Sequence, residues 1–349
     1  GAVSGPAVGG ALVELFGWRS IFVAIIAVAL SGSLLALLML REERIGSGAP
    51  ARWGGLDWPG SIASALSLVA LILSITNGNR LGWGSPIILG GFGAFAALFA
   101  GFVWWERRAP TPMIDLAIFR SARFTWASLT RFTGFLANGP MNFLMPFYLQ
   151  QTAGWSPSRA GLILIPLPLA MGVVGAISGS LSDRLGVRRF MLAGILIQVG
   201  TLLSISRFQA DTPLYVILAT LLVHGTGAGL WQPANMSAAV GGVHRSAYGV
   251  AAAFLNLVRN TANVIAVAVT AAFVAGVMVS RGVGGDLGAV ADDPTGPAGD
   301  AFLTGMRWAF SGLAAFLVLA LAAAAMAGRA AAAGPDRAAD ATQRRPGGG

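Results

Sequence analysis

The chain has 349 residues, of which 55% are hydrophobic and only 11% charged, and its mean hydropathy is +0.72. Apolar windows recur along almost its whole length, which excludes a soluble globular domain and reads as an all-α polytopic membrane protein. A formal net charge of +9 would suit nucleic acid, but all 23 basic residues are arginine and they follow the ends of apolar runs, so no nucleic-acid partner is expected; the absence of Cys excludes disulfides and thiolate metal sites.

The chain opens on G-A-V-S-G-P-A-V-G-G, which leads into a helix lasting to about Phe16 and reads as the end of a span whose beginning lies upstream. A bilayer core of about 30 Å takes roughly 20 helical residues. On that measure nine further spans are expected, at 19–40, 58–77, 85–105, 124–149, 159–181, 190–206, 213–240, 247–279 and 301–327. Between them, residues 106–123 combine prolines with an amphipathic stretch and read as a connector on the membrane surface. Residues 280–300, rich in Gly, Asp and Pro, read as a flexible external loop, and the tail from 328 to 349 as disordered.

Arginine placement sets the expected orientation. The segments alternating with the Gly179–Arg189 loop carry Arg41, Arg44, Arg52, Arg107, Arg108, Arg120, Arg123, Arg184, Arg188, Arg189, Arg245, Arg329, Arg337, Arg344 and Arg345; the opposite segments carry only Arg19, Arg80, Arg159, Arg207 and Arg281. Fifteen against five places the first set, and the C-terminus, in the cytoplasm of a cell with a plasma or inner membrane.

The loop G-S-L-S-D-R-L-G-V-R-R turns the chain between two apolar runs. Gly179 and Gly186 would let the helix ends approach closely, and Asp183 is placed to accept from a helix N-terminal amide or to pair with an arginine, beside Arg184, Arg188 and Arg189. The loop is either a positive-inside turn or a latch between two conformations.

This loop resembles the second-half copy of the loop motif of the major facilitator superfamily, with Val187 at a position that is often basic. The opening segment, followed by G-W-R-S-I-F, resembles the antiporter motif on the fifth helix of its drug exporters, matched by Gly1, Gly5, Pro6, Gly9 and Gly10. L-D-W-P-G at 56–60 and the two spans before the proline-rich connector resemble the fourteen-helix drug:proton antiporter branch. The resemblance implies facilitator-type helical bundles lacking about the first four helices: the end of an N-terminal bundle at 1–40, two additional helices and a connector at 41–121, and a C-terminal six-helix bundle at 122–327. It further implies a transporter rather than an enzyme, monomeric when full length, that exports lipophilic small molecules by alternating access with the proton as coupling ion and no cofactor or metal. A facilitator importing a polar metabolite is the alternative. A membrane-embedded enzyme would need clustered His, Asp, Glu or Ser at one depth, and His224 and His244 stand twenty residues apart.

Polar side chains inside spans are costly in lipid and turn toward cavities or partners. Asn256, Arg259, Asn260 and Asn263 share one helical face. His224, Trp231 and Asn235, with Gln232 beside them and a helix break expected at Pro233, form a second stripe. Arg131, Asn138 and Asn142, on a helix loosened by Pro140 and Pro146, form a third. All eleven are candidates for a substrate path; interhelical hydrogen bonding is the competing role, and His224 is either a satisfied structural histidine or a group that titrates near neutral pH. Arg259 is expected to face the cavity, its counter-charge an acid from upstream helices or an anionic group of the substrate. Gly5, Pro6 and Gly9 are expected to contact a helix of the C-terminal bundle closely.

Overall fold

The computed structural model describes residues 4–39, 57–109, 116–244 and 248–332. Among them every regular element is helical, and eight helices are long and apolar enough to cross a membrane. The chain begins with a shorter helix, α1 (Ser4–Phe16), followed by the first of the eight, α2 (Arg19–Met39), the two joined at Gly17. They are followed by the hairpin of α3 (Trp58–Leu81) and α4 (Pro86–Glu106). Asp57 caps α3 by accepting from Gly60 N at 2.9 Å, and its Oδ1 also accepts from Trp105 Nε1 at 2.7 Å, which pins the two ends of the hairpin together. Arg41, Arg44, Arg52, Leu56, Arg245 and the tail beyond 332 lie outside the described residues.

The expected span 124–149 is broken into α5 (Ala122–Asn138), α6 (Met141–Phe147) and a π-helical turn (Tyr148–Thr152). Pro140 interrupts it, and Pro146 precedes the wide turn, since each proline withholds an N–H from the helical ladder. The next span is likewise two helices, α7 (Pro157–Leu164) and α8 (Pro166–Leu185), divided at Pro166. Then come α9 (Val187–Ile205), α10 (Leu214–Val240), α11 (Tyr248–Ser280) and α12 (Pro297–Ala332).

Pro233 does not break α10, contrary to the expectation from its sequence. The carbonyl it leaves unpaired one turn back is that of Gly229, and Ser178 Oγ on α8 donates to it at 2.5 Å. A neighbouring helix thus satisfies the freed acceptor, and α10 continues to Val240. The external loop also differs from a flexible coil. A 3₁₀ turn (Leu287–Val290) sinks Val290 fully into the core, and Asp293 accepts from Ala298 N to start α12 four residues earlier than expected.

Within the part from α5 onward, α10 packs between α8 and α9, while α12 packs against α5, α9 and α11. Phe124, Leu144, Trp231, Phe302 and Phe310 are buried in the shared core. The α3–α4 hairpin rests on α11 through α3, where Asn79 Nδ2 donates to the Ala272 carbonyl. Helix α1 packs along α7. Helix α2 has no buried residue.

Candidate functional site

A cavity of about 740 Å³ lies between α1 and the helices α5 to α11. That is within the usual range for small-molecule pockets. Seven of the eleven path candidates line it: Asn138, Asn142, His224, Gln232, Arg259, Asn260 and Asn263. Phe135, Met141 and Met171 supply apolar surface between them, and no Asp or Glu is among the lining residues.

Two lining residues, Gln198 and Gln150, are not on the three stripes read from sequence. Gln198 is fully buried and pairs with Asn138 amide to amide: Asn138 Nδ2 donates to Gln198 Oε1 at 3.2 Å, and Gln198 Nε2 donates back to Asn138 Oδ1 at 3.0 Å. One turn on, Thr201 Oγ1 donates to the Gln198 carbonyl at 3.0 Å and lies 2.8 Å from His224 Nδ1. This pair of contacts holds the His224 ring against α9. Gln198 could have been found as a lone amide in the middle of an apolar helix, the same signal that picked out the asparagines.

Four candidates sit elsewhere. Arg131 is buried, with Nε donating to the Leu255 carbonyl at 2.9 Å and its guanidinium 5.2 Å above the Phe135 ring, so it ties α5 to α11. Asn235 Nδ2 donates to the Ala127 carbonyl at 2.9 Å and ties α10 to α5. Trp231 is wholly buried against Phe135, with ring centroids 5.4 Å apart, and its place is the packing core. Asn256 is exposed and does not line the cavity. Shared helical face was the basis for grouping these residues, but a face broad enough to hold a stripe also meets a neighbouring helix at its edges.

The seam between α1 and α7 forms part of the cavity wall. The backbones touch: an ideal Cβ at Gly10 would lie 2.4 Å from the Pro157 carbonyl oxygen, and one at Gly161 would lie 2.2 Å from that of Pro6. Glu14 extends the seam, its Oε2 accepting from Ser158 N at 3.0 Å and so satisfying a free amide in the first turn of α7. The close contact expected at Gly5, Pro6 and Gly9 is therefore made by Pro6, Gly10 and Gly161. Gly5 and Gly9 have open space where a Cβ would go, and Gly1 lies outside the described residues.

The sequence profile of the Major Facilitator Superfamily matches residues 1–267. The chain belongs to this superfamily. Among its relatives are the riboflavin transporter RibZ of Clostridioides difficile (29% identical, covering 79% of this chain and 58% of that protein) and the multidrug resistance protein Stp of Mycobacterium tuberculosis (31%, 77% and 49%). The tetracenomycin C resistance and export protein of Streptomyces glaucescens is 30% identical over 71% of this chain and 47% of that protein. The chain thus spans about half the length of the curated relatives it matches.

In this facilitator chain the α8–α9 loop differs from its expected geometry. Gly186 has φ +100°, a backbone conformation that side chains with a Cβ rarely adopt, and it reverses the chain between the two helices. Gly179 makes no close approach; a Cβ there would meet Pro233 at an ordinary 3.9 Å. Among the described residues Asp183 touches neither a helix N-terminal amide nor an arginine. Its Oδ1 accepts from Ser237 Oγ on α10 at 2.8 Å, and Arg184, Arg188 and Arg189 are exposed around it. Asp183→Asn keeps an oxygen acceptor for Ser237 but removes the charge. We expect less than about 1 kcal/mol loss of thermal stability, as for an exposed neutral hydrogen bond; a larger drop would show that the charge holds the loop.

Proposed function

We propose that the protein of which this chain forms part is a secondary active exporter of lipophilic small molecules, driven by proton exchange. The observation that carries the reading is a cavity bounded by α1 and by α5 to α11, part of whose wall is a seam of backbone contacts and one carboxylate cap. Such a seam can part without unfolding either side, which is what alternating access asks of two packed bundles. The names of the relatives that export tetracenomycin C or confer multidrug resistance support efflux, and the arginine distribution supports a cytoplasmic C-terminus in a cell membrane. No Asp or Glu is among the described lining residues, so in this reading the coupling proton is carried by a group outside them.

A second reading, import of a polar metabolite, draws on the likeness to a riboflavin transporter and on the amide-rich wall. Purified full-length protein in vesicles separates the two. An inward proton gradient should accelerate release of a lipophilic dye severalfold over a collapsed gradient; gradient-independent uptake of a polar solute instead would overturn the exporter reading.

A further inference from the structure

Arg131, Arg259 and Arg307 each stand well inside a helix, and the structure gives the first two opposite surroundings. Arg131 is buried, with a carbonyl partner and an aromatic ring under its guanidinium. Arg259 is exposed on the cavity wall. Its Nε donates to Asn260 Oδ1 at 3.4 Å, and that is its one hydrogen bond among the described residues, which leaves both terminal amino groups without a protein acceptor.

Depth makes this arrangement informative. Arg259 lies eleven residues into the 33-residue helix α11, about 16 Å along its axis, and lines the cavity there. A cation held there costs about 2.5 kcal/mol or more, so it faces water or an anion. The wall around it offers amides from Asn138, Gln198, Gln232 and Asn263 and no carboxylate. Amides donate to and accept from carbonyl and hydroxyl groups. A guanidinium with a free fork binds carboxylate, phenolate or enolate oxygens in pairs. An organic cation at this part of the wall would meet a like charge.

We propose that Arg259 selects the substrate by charge: the transported molecule is an aromatic or polycyclic compound carrying an acidic oxygen that docks on the Arg259 guanidinium, with its carbonyl or hydroxyl groups on the surrounding amides. This deepens the exporter reading and rests on it.

Two dyes with one xanthene skeleton test it on the purified full-length protein: fluorescein, an anion at neutral pH, and rhodamine 123, a cation. Equilibrium binding should favour fluorescein, and Arg259→Gln should weaken it roughly tenfold to a hundredfold, the range for losing hydrogen bonds to a charged group. Arg259→Lys should recover part of that loss, because the charge stays while the planar fork goes. Arg259 is exposed, so these variants should fold, and an unchanged melting temperature checks it. Absence of fluorescein binding, a preference for rhodamine 123, or unchanged fluorescein binding by Arg259→Gln each overturns the assignment. Gradient-driven efflux of rhodamine 123 by the wild type would uphold export while overturning the charge selection. Fluorescein bound at Arg259 but never moved by a gradient would overturn export alone.

Discussion

Gly161→Leu should abolish transport by the full-length protein while membrane insertion is retained. The Cβ alone would stand 2.2 Å from the Pro6 carbonyl oxygen, and the obstacle is backbone on both sides, so no rotamer relieves it. Overpacking of this kind costs about 1–3 kcal/mol. The whole of that penalty falls on the arrangement in which α1 and α7 touch, since the seam is absent once they part. A shift of that size moves a two-state population by roughly tenfold to a hundredfold. Spin-label distances between α1 and α7 should lengthen and stay long. Gly10→Leu should behave alike, because its Cβ meets the Pro157 carbonyl oxygen at 2.4 Å, whereas Gly5→Leu should transport normally, having nothing within 4 Å. If Gly5→Leu fails and Gly161→Leu works, the seam is not where the bundles meet.

Trp231→Ala should be the most damaging single change to folding. Trp231 is 0% exposed, and its indole fills the space that glycine leaves on two helices: a Cβ at Gly134 would lie 2.7 Å from its ring, and one at Gly194 would lie 2.9 Å from its own Cβ. Removing the ring opens a void where α5, α9 and α10 meet, a change that costs about 3–5 kcal/mol for an aromatic residue in a packed core. Thermal unfolding in detergent would measure it, with Trp231→Phe expected to fall between. Dye affinity of the fraction that remains folded should be unchanged, as Trp231 does not line the cavity. Weaker binding at an unaltered melting temperature would return this residue to the substrate path.

The helical class of this chain was legible in its composition, because a segment that must satisfy its own backbone in lipid has to be an apolar helix of a given length. The superfamily was legible in the order of the motifs, since Gly10 and Gly186 are needed for backbone reasons that a side chain at those positions would violate. Seven of the cavity residues were legible as polar groups in apolar helices, for the cost of burying them in lipid is a property of the residue itself. Which partner relieves that cost is a property of the neighbours. Only packing placed Arg131 and Asn235 against the carbonyls of Leu255 and Ala127, and only packing left Arg259 facing open space. The same holds for Pro233, whose helix survives because Ser178 on another helix reaches the Gly229 carbonyl, and for Gly161, which a reading along one helix cannot match to Pro6, 155 positions earlier in the chain. Sequence fixes what each residue must satisfy; the contacts across helices decide which of them are left unsatisfied for a substrate to meet.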